Sequence, residues 1–300
     1  MAHFLDVWIF GLIGAMLRYA TPLVLAALGG LLSERSGVVN IALEGFMIVG
    51  AFFAIWGSVT FHTWVAGLLI AVIMGGALAG LHAVASITLR ADQIISGTAL
   101  IIMCGGLTDF LNLTIYGSQG SPPDVSRVPT LPQNLPVIGG LSLLVPLTAA
   151  LVVGVAFVVF RTPFGLHLRA VGEHPKAADT VGINVFRMRY IAVILSGMFA
   201  GLAGAYISFN VGSYTSGMVG GKGFIALAAL IFGKWNPYGA AAAALLFGLS
   251  QALADALQTE FGINPDLVTA LPYVITIVAL AGFVGKSVAP AASGKPYVKG

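Results

Sequence analysis

Charge is the scarcest property of this 300-residue sequence. Only 8% of its residues are charged and 58% are hydrophobic, and the mean hydropathy is +0.97. A soluble domain carries about 25% charged residues, and one with so few charges would leave much of its surface apolar and would aggregate. The composition therefore excludes an ordinary soluble protein. The 39 glycines favour a membrane protein, because glycine lets membrane helices pack closely.

Catalytic and metal-binding patterns are also missing from the sequence. Cys104 is the single cysteine and the five histidines lack a metal-binding spacing, so neither a disulfide nor a metal cluster is expected. The segment 285–287 (Gly-Lys-Ser) is no phosphate-binding loop, because Leu280 stands where that motif needs its first glycine. The N-terminus lacks a basic n-region and a small-residue cleavage site, so we expect no cleavable signal peptide. We therefore expect no catalytic residue and no cofactor in this chain, and the net charge of +3 gives no reason to expect nucleic acid.

Long apolar segments dominate the chain, and a membrane-spanning helix needs roughly 20 mostly apolar residues. These segments lie at 4–17, 19–33, 43–60, 63–88, 94–113, 141–160, 189–210, 224–234, 237–258 and 268–286. Two of them, 4–17 and 224–234, are short enough to be re-entrant or tilted pieces. The sequence predicts an all-α, polytopic membrane protein of eight to ten transmembrane helices. We expect a single transmembrane domain over residues 1–286 and a tail over 287–300.

Basic residues predict the orientation, because cytoplasmic connections are enriched in Lys and Arg. The connection 161–189 is the most basic in the chain and should be cytoplasmic, whereas 116–140 is rich in Pro and Ser and should lie outside. The tail 287–300 carries lysines without acids and should also be cytoplasmic. One alternating path satisfies all three assignments, with the N-terminus inside if 4–17 spans.

The chain is similar to itself at an offset of 171 residues. This shift aligns Arg18-Tyr19 with Arg189-Tyr190 and Trp64 with Trp235. Five predicted helices separate the two starts, and an odd number inserts the second copy upside down, which is the inverted-repeat plan of many transporters. Chance similarity between apolar, Gly-rich segments is the alternative.

The first polar interruption is the segment 33–45, SERSGVVNIALEG. Ionisable groups within a membrane are costly and usually face a cavity or a partner. Gly37 and Gly45 suit a discontinuous helix whose free backbone groups line that cavity. We therefore predict that Asn40 and Glu44 border a translocation pathway or its gate. The alternative is a short cytoplasmic turn in which Glu44 caps the next helix.

The second polar feature is the cytoplasmic stretch 161–183. Pro175 suits the first turn of a helix and Gly182 suits a C-terminal cap, so Lys176 to Val181 are predicted to form about two turns. A short capped helix between two spans is typical of a docking element. A plain basic loop is the alternative, but such a loop would not need these start and stop signals.

The third polar feature is the segment 206–224, in which Asn210 and Tyr214 precede a cluster of glycines. Amide and aromatic side chains at the end of a helix are suited to hold a polar ring or a sugar. A Gly-rich external turn explains the same residues, and the sequence does not choose between the two.

The first two features carry a resemblance to a known family. GVVNIALEGFMIVGA at 37–51, preceded by Glu-Arg-Ser, resembles the N-terminal signature of ABC-importer permeases for simple sugars and nucleosides. TPFGLHLRAVGEHPKAADTVGI at 162–183 resembles their cytoplasmic coupling segment, although His174 stands where the family often has Asn. The resemblance covers about 19–285, within the same broad group as the branched-chain amino acid and ribose permeases. The ALEG form is more similar to the nucleoside and simple-sugar branch.

This resemblance implies a fold similar to the vitamin B12 type of importer, in a bacterial-type cytoplasmic (inner) membrane. It implies one of two membrane subunits, by analogy a heterodimer with a second permease, and an extracytoplasmic solute-binding protein that delivers the solute. It also implies ATP-binding subunits that use ATP and magnesium and dock on a coupling segment of this chain. The implied coupling residues are Gly172, Glu173, His174, Pro175, Lys176, Ala177, Ala178, Asp179 and Gly182.

The sequence also leaves rival functions to consider. A stand-alone secondary transporter driven by an ion gradient would need buried acidic or cation-coordinating groups, of which there are few clear candidates. A membrane-embedded enzyme would need a catalytic cluster of His, Asp or Cys, which does not emerge. A structural or channel protein is the third alternative.

Overall fold

The computed structural model describes residues 2–117, 125–135, 138–261, 274 and 287–299. These residues form helices and connections, with an isolated β-bridge between Thr130 and Ser142. The helices are α1 (Ala2–Arg35), α2 (Leu43–Phe61), α3 (Trp64–Ala83), α4 (Gln93–Tyr116), α5 (Leu144–Arg161), α6 (Pro163–Glu173), α7 (Pro175–Thr180), α8 (Val185–Val211), α9 (Lys222–Phe232) and α10 (Pro237–Phe261). A π-helical turn, Val84–Thr88, extends α3.

Seven helices of the described part are long and apolar enough to cross a membrane. They are Ile9–Arg35, Leu43–Phe61, Trp64–Thr88, Gln93–Tyr116, Leu144–Arg161, Val185–Val211 and Pro237–Thr259. Apart from residue 274, the predicted span at 268–286 lies outside the described residues. The all-α, polytopic class of fold is therefore confirmed.

The prediction of separate segments at 4–17 and 19–33 is wrong, because both belong to the single helix α1. Arg18 and Tyr19 gave the impression of a boundary. Tyr19 instead donates a hydrogen bond to Asp255 on α10, so its polar group is satisfied without a break in the helix. On the predicted path, in which the connection 161–189 is cytoplasmic, a single crossing by α1 directs its N-terminus to the outer side. The condition for an inner N-terminus is not met.

Glycines let the central helices touch backbone to backbone. α8 packs against α1, α2 and α3. A Cβ atom added at Gly50 on α2 would overlap the backbone of Gly201 on α8, and one added at Gly75 on α3 would overlap the carbonyl oxygen of Gly197. Close packing of small residues drives helix association in membranes, where lipid removes the hydrophobic driving force. These glycines therefore hold the core of the fold together.

The order and packing of the helices support the repeat at an offset of 171 residues. The shift relates α1 to α8, α2 to the segment that ends with α9, and α3 to α10. Both α2 and α9 end at equivalent positions, Phe61 and Phe232. α3 packs on α8, and α1 packs on α10. These two helix pairs are equivalent under the shift, as expected if the first helix of each repeat unit packs against the third helix of the other unit.

Candidate translocation pathway and coupling site

The polar segment 33–45 contains a helix break at residues 36–42, which connects the two membrane helices α1 and α2. Gly37 has a φ of +90°, in the region that favours glycine, and the helix resumes only at Leu43. Backbone groups freed by a break within a membrane protein must find other partners. Ser33 Oγ donates a hydrogen bond to the Val38 carbonyl at 2.8 Å, so a nearby side chain satisfies one of the free backbone groups of this unwound segment.

Two residues that the sequence reasoning missed support the same break. The Val39 N–H donates to Gln93 Oε1 at 2.7 Å, and the Val39 carbonyl lies 3.2 Å from His82 Nε2. His82 comes from α3 and Gln93 from the first turn of α4, and both are buried. The sequence did contain a signal for both residues: His82 lies inside the apolar segment 63–88, and Gln93 directly precedes the apolar segment 94–113.

Asn40 is fully buried inside the break. Its Nδ2 donates to Ser196 Oγ on α8 at 2.8 Å, whereas its Oδ1 has no hydrogen-bond partner among the described residues. An amide oxygen buried without a partner carries a free-energy cost of about 1–3 kcal/mol. Asn40 thus ties the break to α8 and leaves one acceptor unsatisfied in this conformation.

Glu44 joins the break to α9. One carboxylate oxygen accepts the N–H of Gly221 at 2.8 Å and the other accepts the N–H of Gly223 at 2.6 Å. These N–H groups belong to the start of α9, where free donors and the helix dipole favour negative charge. Both of the hydrogen bonds that the Glu44 carboxylate accepts come from the start of α9 and not from its own helix α2.

The segment 212–221 descends into the protein instead of forming an external turn. Gly212 lies beside Arg127 of the outer connection. Tyr214 is already buried against Phe52 in the middle of α2, with ring centroids 5.3 Å apart, and it donates to Thr108 Oγ1 at 2.9 Å. The descent ends at Gly221, beside Glu44.

α9 then completes a half-length passage to the inner face. Its 11 residues extend about 16 Å, roughly half of a 30 Å hydrocarbon core, so the predicted segment 224–234 does not span. Between Tyr214 and the start of α9, Thr215, Ser216, Gly217 and Gly220 are exposed. Irregular backbone at membrane depth is stable only inside protein or beside a water-filled cavity.

The four predicted pathway residues therefore have different surroundings. Asn40 and Glu44 are buried on either side of the start of α2, and Tyr214 is buried at the top of the descending segment. Asn210 is exposed in the last turn of α8. Glu44 and Tyr214 lie at the two ends of one re-entrant segment, which the sequence described only as Gly-rich.

A polar contact locks the inner end of α9 to α1. Trp235 Nε1 donates to a carboxylate oxygen of Glu34 at 2.6 Å, and Arg35 donates through two nitrogens to the Trp235 carbonyl at 2.9 and 2.7 Å. Lys234 and Trp235 have φ values of 54° and 52°. Left-handed backbone at residues other than glycine costs about 1–3 kcal/mol each, so these contacts hold a strained turn.

We expect the Trp235→Phe substitution to lower the free energy of unfolding by about 1–3 kcal/mol, because it leaves the buried Glu34 carboxylate without its donor. The measurement is the midpoint of thermal unfolding in detergent. Trp64→Phe, at the equivalent position of the first repeat unit, is the control. Equal shifts in the two variants would contradict the role of the indole N–H.

The coupling segment contains two consecutive helices. Thr162 accepts the Gly165 N–H at 3.2 Å and caps α6, an 11-residue helix that the sequence reasoning missed although Thr-Pro is a start signal. Pro175 begins α7 as predicted. Gly182, with a φ of +87°, follows α7, and the Ile183 N–H returns to the Ala178 carbonyl at 3.0 Å.

The predicted coupling residues differ in burial, and Pro175 and Asp179 are half-buried. Gly172 and Ala178 are buried, and a Cβ added at Gly172 would overlap the carbonyl oxygen of Arg35 at the end of α1. The exposed residues are Glu173, His174, Lys176, Ala177 and Gly182. Val181 is 76% exposed, which is unusual for an aliphatic side chain outside a lipid-facing surface. Gly172 places α6 against the end of α1, whereas Ala178 packs with Val171, Val185 and Tyr297. The exposed group forms a surface that a partner can reach.

The fold and site together define a class of protein. Among the described residues, the apolar spanning helices, the unwound segment 36–42, the half-length helix α9 and the exposed α6–α7 pair are features expected of a transport permease. The chain matches the family described as "Branched-chain amino acid transport system / permease component" over residues 12–280. It belongs to this family and is a permease subunit of an ABC transporter in the cytoplasmic (inner) membrane.

Individual relatives match almost end to end. The guanosine ABC transporter permease protein NupQ of Bacillus subtilis is 45% identical over 310 residues, covering 96% of this chain and 97% of NupQ. The nucleoside ABC transporter permease protein NupC of Lactococcus lactis is 42% identical, covering 96% of each chain. The guanosine ABC transporter permease protein NupP of Bacillus subtilis is 29% identical, covering 90% of this chain and 81% of NupP. No solved structure matches the chain.

Proposed function

We propose that this chain forms the translocation pathway of an ATP-driven importer for a nucleoside or a related sugar-like solute. The observation that carries the proposal is the contact between the exposed α6–α7 pair and the end of α1, directly before the helix break. That contact connects a surface open to a cytoplasmic partner with the segment that holds Asn40 and Glu44. The names of the relatives, which refer to guanosine and nucleosides, support the solute class.

The energy for transport comes from a separate ATP-binding subunit in this proposal. That partner uses ATP and magnesium, and this chain holds neither as a cofactor. It docks on the exposed coupling residues and on Val181, and its closure displaces α6. Because Gly172 abuts the Arg35 carbonyl without space between them, a displacement of α6 is transmitted to the end of α1.

The remaining partners complete the proposed assembly. A second permease subunit makes a heterodimer, since relatives of this chain include two guanosine permease proteins from one organism. An extracytoplasmic solute-binding protein delivers the solute to the outer face, where Asn210 is exposed. Lipid surrounds the outer helices, and no nucleic acid takes part.

The pathway itself runs along the re-entrant segment in this proposal. Exposed hydroxyl and backbone groups at 215–217 and 220 offer hydrogen bonds to a polar solute at mid-membrane depth. Glu44 holds the lower end of this segment through two backbone N–H groups, and Tyr214 holds the upper end. Release of either end would change the shape of the passage.

The test is uptake of radiolabelled guanosine and adenosine by proteoliposomes that contain the complete assembly. We expect uptake that requires ATP and the solute-binding protein and that persists when ion gradients are abolished. Uptake by this chain alone, driven by an ion gradient, would overturn the importer and establish a secondary transporter. If the assembly took up another solute with ATP but did not take up nucleosides, only the proposed solute class would be overturned.

Val181→Asp is expected to weaken binding of the ATP-binding subunit by about 1–2 kcal/mol, because central apolar residues carry much of the affinity of an interface. The measurement is the amount of ATPase that co-purifies with the tagged permease as the ATPase concentration is varied. Val288→Asp, at a tail residue that is 81% exposed, is the matched control. Equal affinity in both variants would remove Val181 from the interface.

A further inference from the structure

The C-terminal tail is attached to the coupling segment at several points. The Ala292 N–H donates to the Gly172 carbonyl at 2.9 Å, and the Ala291 N–H donates to a carboxylate oxygen of Glu173 at 3.2 Å. Farther along the tail, Tyr297 is buried, and its ring centroid lies 5.4 Å from that of Phe186. These contacts extend from the C-terminal end of α6 to the first turn of α8.

The Tyr297 hydroxyl strengthens this attachment. Burial and a hydrogen bond to Asp179 raise the pKa of Tyr297, so the hydroxyl stays protonated and donates a hydrogen bond to the Asp179 carboxylate. Asp179 belongs to α7, whereas Phe186 belongs to the first turn of α8. Tyr297 therefore contacts both α7 and α8.

The same tail is attached to the helix break. The Gly294 N–H donates to the Gly37 carbonyl at 3.2 Å. Arg189, which is 1% exposed, donates from Nε to the Ser36 carbonyl at 3.1 Å and from Nη1 to the Lys295 carbonyl at 3.0 Å. A buried guanidinium therefore joins the break and the tail at the start of α8.

Direct contact and hydrogen-bonded attachment transmit movement differently. The abutment of Gly172 on Arg35 transmits a push through the backbone, and separation there is opposed by the charge attraction between Glu173 and Arg35. The tail bridges the same two elements with hydrogen bonds, which resist separation as well. A transport cycle moves the coupling segment in both directions, so the return movement needs an attachment of the second kind.

We infer that the tail segment 291–297 is a clasp that joins the coupling segment to the helix break, and that Tyr297 and Arg189 are its positioning residues. The clasp makes the break follow the coupling segment when the ATP-binding subunits separate. This inference rests on the proposed function, since it assumes that an ATPase moves the coupling segment.

The test compares variants of the complete assembly in proteoliposomes, after the wild type is shown to couple uptake to ATP hydrolysis. The readout is the number of solute molecules taken up per ATP hydrolysed, which lower amounts of folded protein do not change. We expect Tyr297→Ala to lower this ratio about fivefold or more, in the range of a coupling free energy between two sites. Tyr297→Phe keeps the ring contact and should restore part of the ratio, and Val288→Ala should leave it unchanged.

A chain that ends after Pro290 provides a second, independent variant. It removes the clasp and leaves intact the seven membrane helices of the described part. We therefore expect it to insert, to bind the ATPase and to hydrolyse ATP, with a similarly low number of solute molecules taken up per ATP. A wild-type ratio in either variant would overturn the clasp. Loss of insertion in both variants would also overturn it, because the tail would then serve folding. Failure of the wild type to couple uptake to ATP would instead overturn the proposed function.

Discussion

Replacing Glu44 with alanine is expected to abolish most of the uptake while the protein still inserts into the membrane. The substitution leaves the Gly221 and Gly223 N–H groups at the start of α9 without their acceptors. A loss of about 2 kcal/mol for these buried donors corresponds to a roughly thirtyfold change in the population of a conformation. The measurement is the initial rate of ATP-dependent uptake, normalised to the inserted protein.

Glu44→Gln is the matched variant for this result. A glutamine has nearly the same shape but only one oxygen acceptor, and it lacks the charge that favours the start of a helix. We expect an intermediate rate between those of the wild type and the alanine variant. Wild-type rates in both variants would show that the carboxylate does not hold the re-entrant segment.

Replacing Gly172 with alanine is expected to disrupt the contact between α6 and α1. The added methyl group would overlap the backbone carbonyl of Arg35, which cannot rotate away as a flexible side chain would. Overpacking of this kind costs about 1–3 kcal/mol, so either α6 moves outward or the end of α1 shifts. We expect a lower midpoint of thermal unfolding together with a lower rate of uptake.

Gly154→Ala is the control for this substitution. A Cβ atom at Gly154, inside α5, meets no atom within 4 Å, and alanine is the better helix former. We expect unchanged uptake and equal or higher thermal stability. If Gly172→Ala behaved in the same way as Gly154→Ala, the close contact would have no part in coupling.

Features set by local chemistry could be predicted from the sequence. Pro175 and Gly182 bound α7 because proline and glycine act through their own backbone preferences. Glycine and polar residues inside an apolar segment indicated an interruption near 33–45. The short length of 224–234 indicated a helix that need not span the membrane, and α9 has only 11 residues. Each of these depends on neighbours within about ten positions.

Features set by distant partners could not be predicted in the same way. The polar pair Arg18-Tyr19 reads as a helix boundary until its partner Asp255, 236 positions away, is known. The bonds from Glu44 to Gly221 and Gly223 cross 177 and 179 positions. The attachment of the tail to Gly37 and Gly172 uses backbone groups, which leave no residue-specific signal.

The internal repeat at an offset of 171 residues could be predicted only in part. Its offset emerged from a few matched residues, but apolar sequences match by chance, and those residues alone did not exclude coincidence. The equivalent packing of α3 on α8 and of α1 on α10 supplies the independent support. Such packing depends on small residues such as Gly75 and Gly197, whose meaning is visible only when both helices are in place.

The most direct test of the account is the accessibility of a cysteine placed at position 216, since the central claim is that the re-entrant segment lines a solute pathway controlled by ATP. The native Cys104 is buried and should contribute little background. The control is a cysteine in place of Ile73, which is 62% exposed on α3 and should remain unreactive in lipid. The reagent is a membrane-impermeant maleimide, applied to the reconstituted assembly with and without nucleoside, and with ATP and vanadate. We expect Ser216→Cys to react, to be protected by nucleoside and to change its accessibility when the ATPase is trapped. A cysteine at position 216 that is as unreactive as the one at 73, or that reacts identically in every state, would contradict the account.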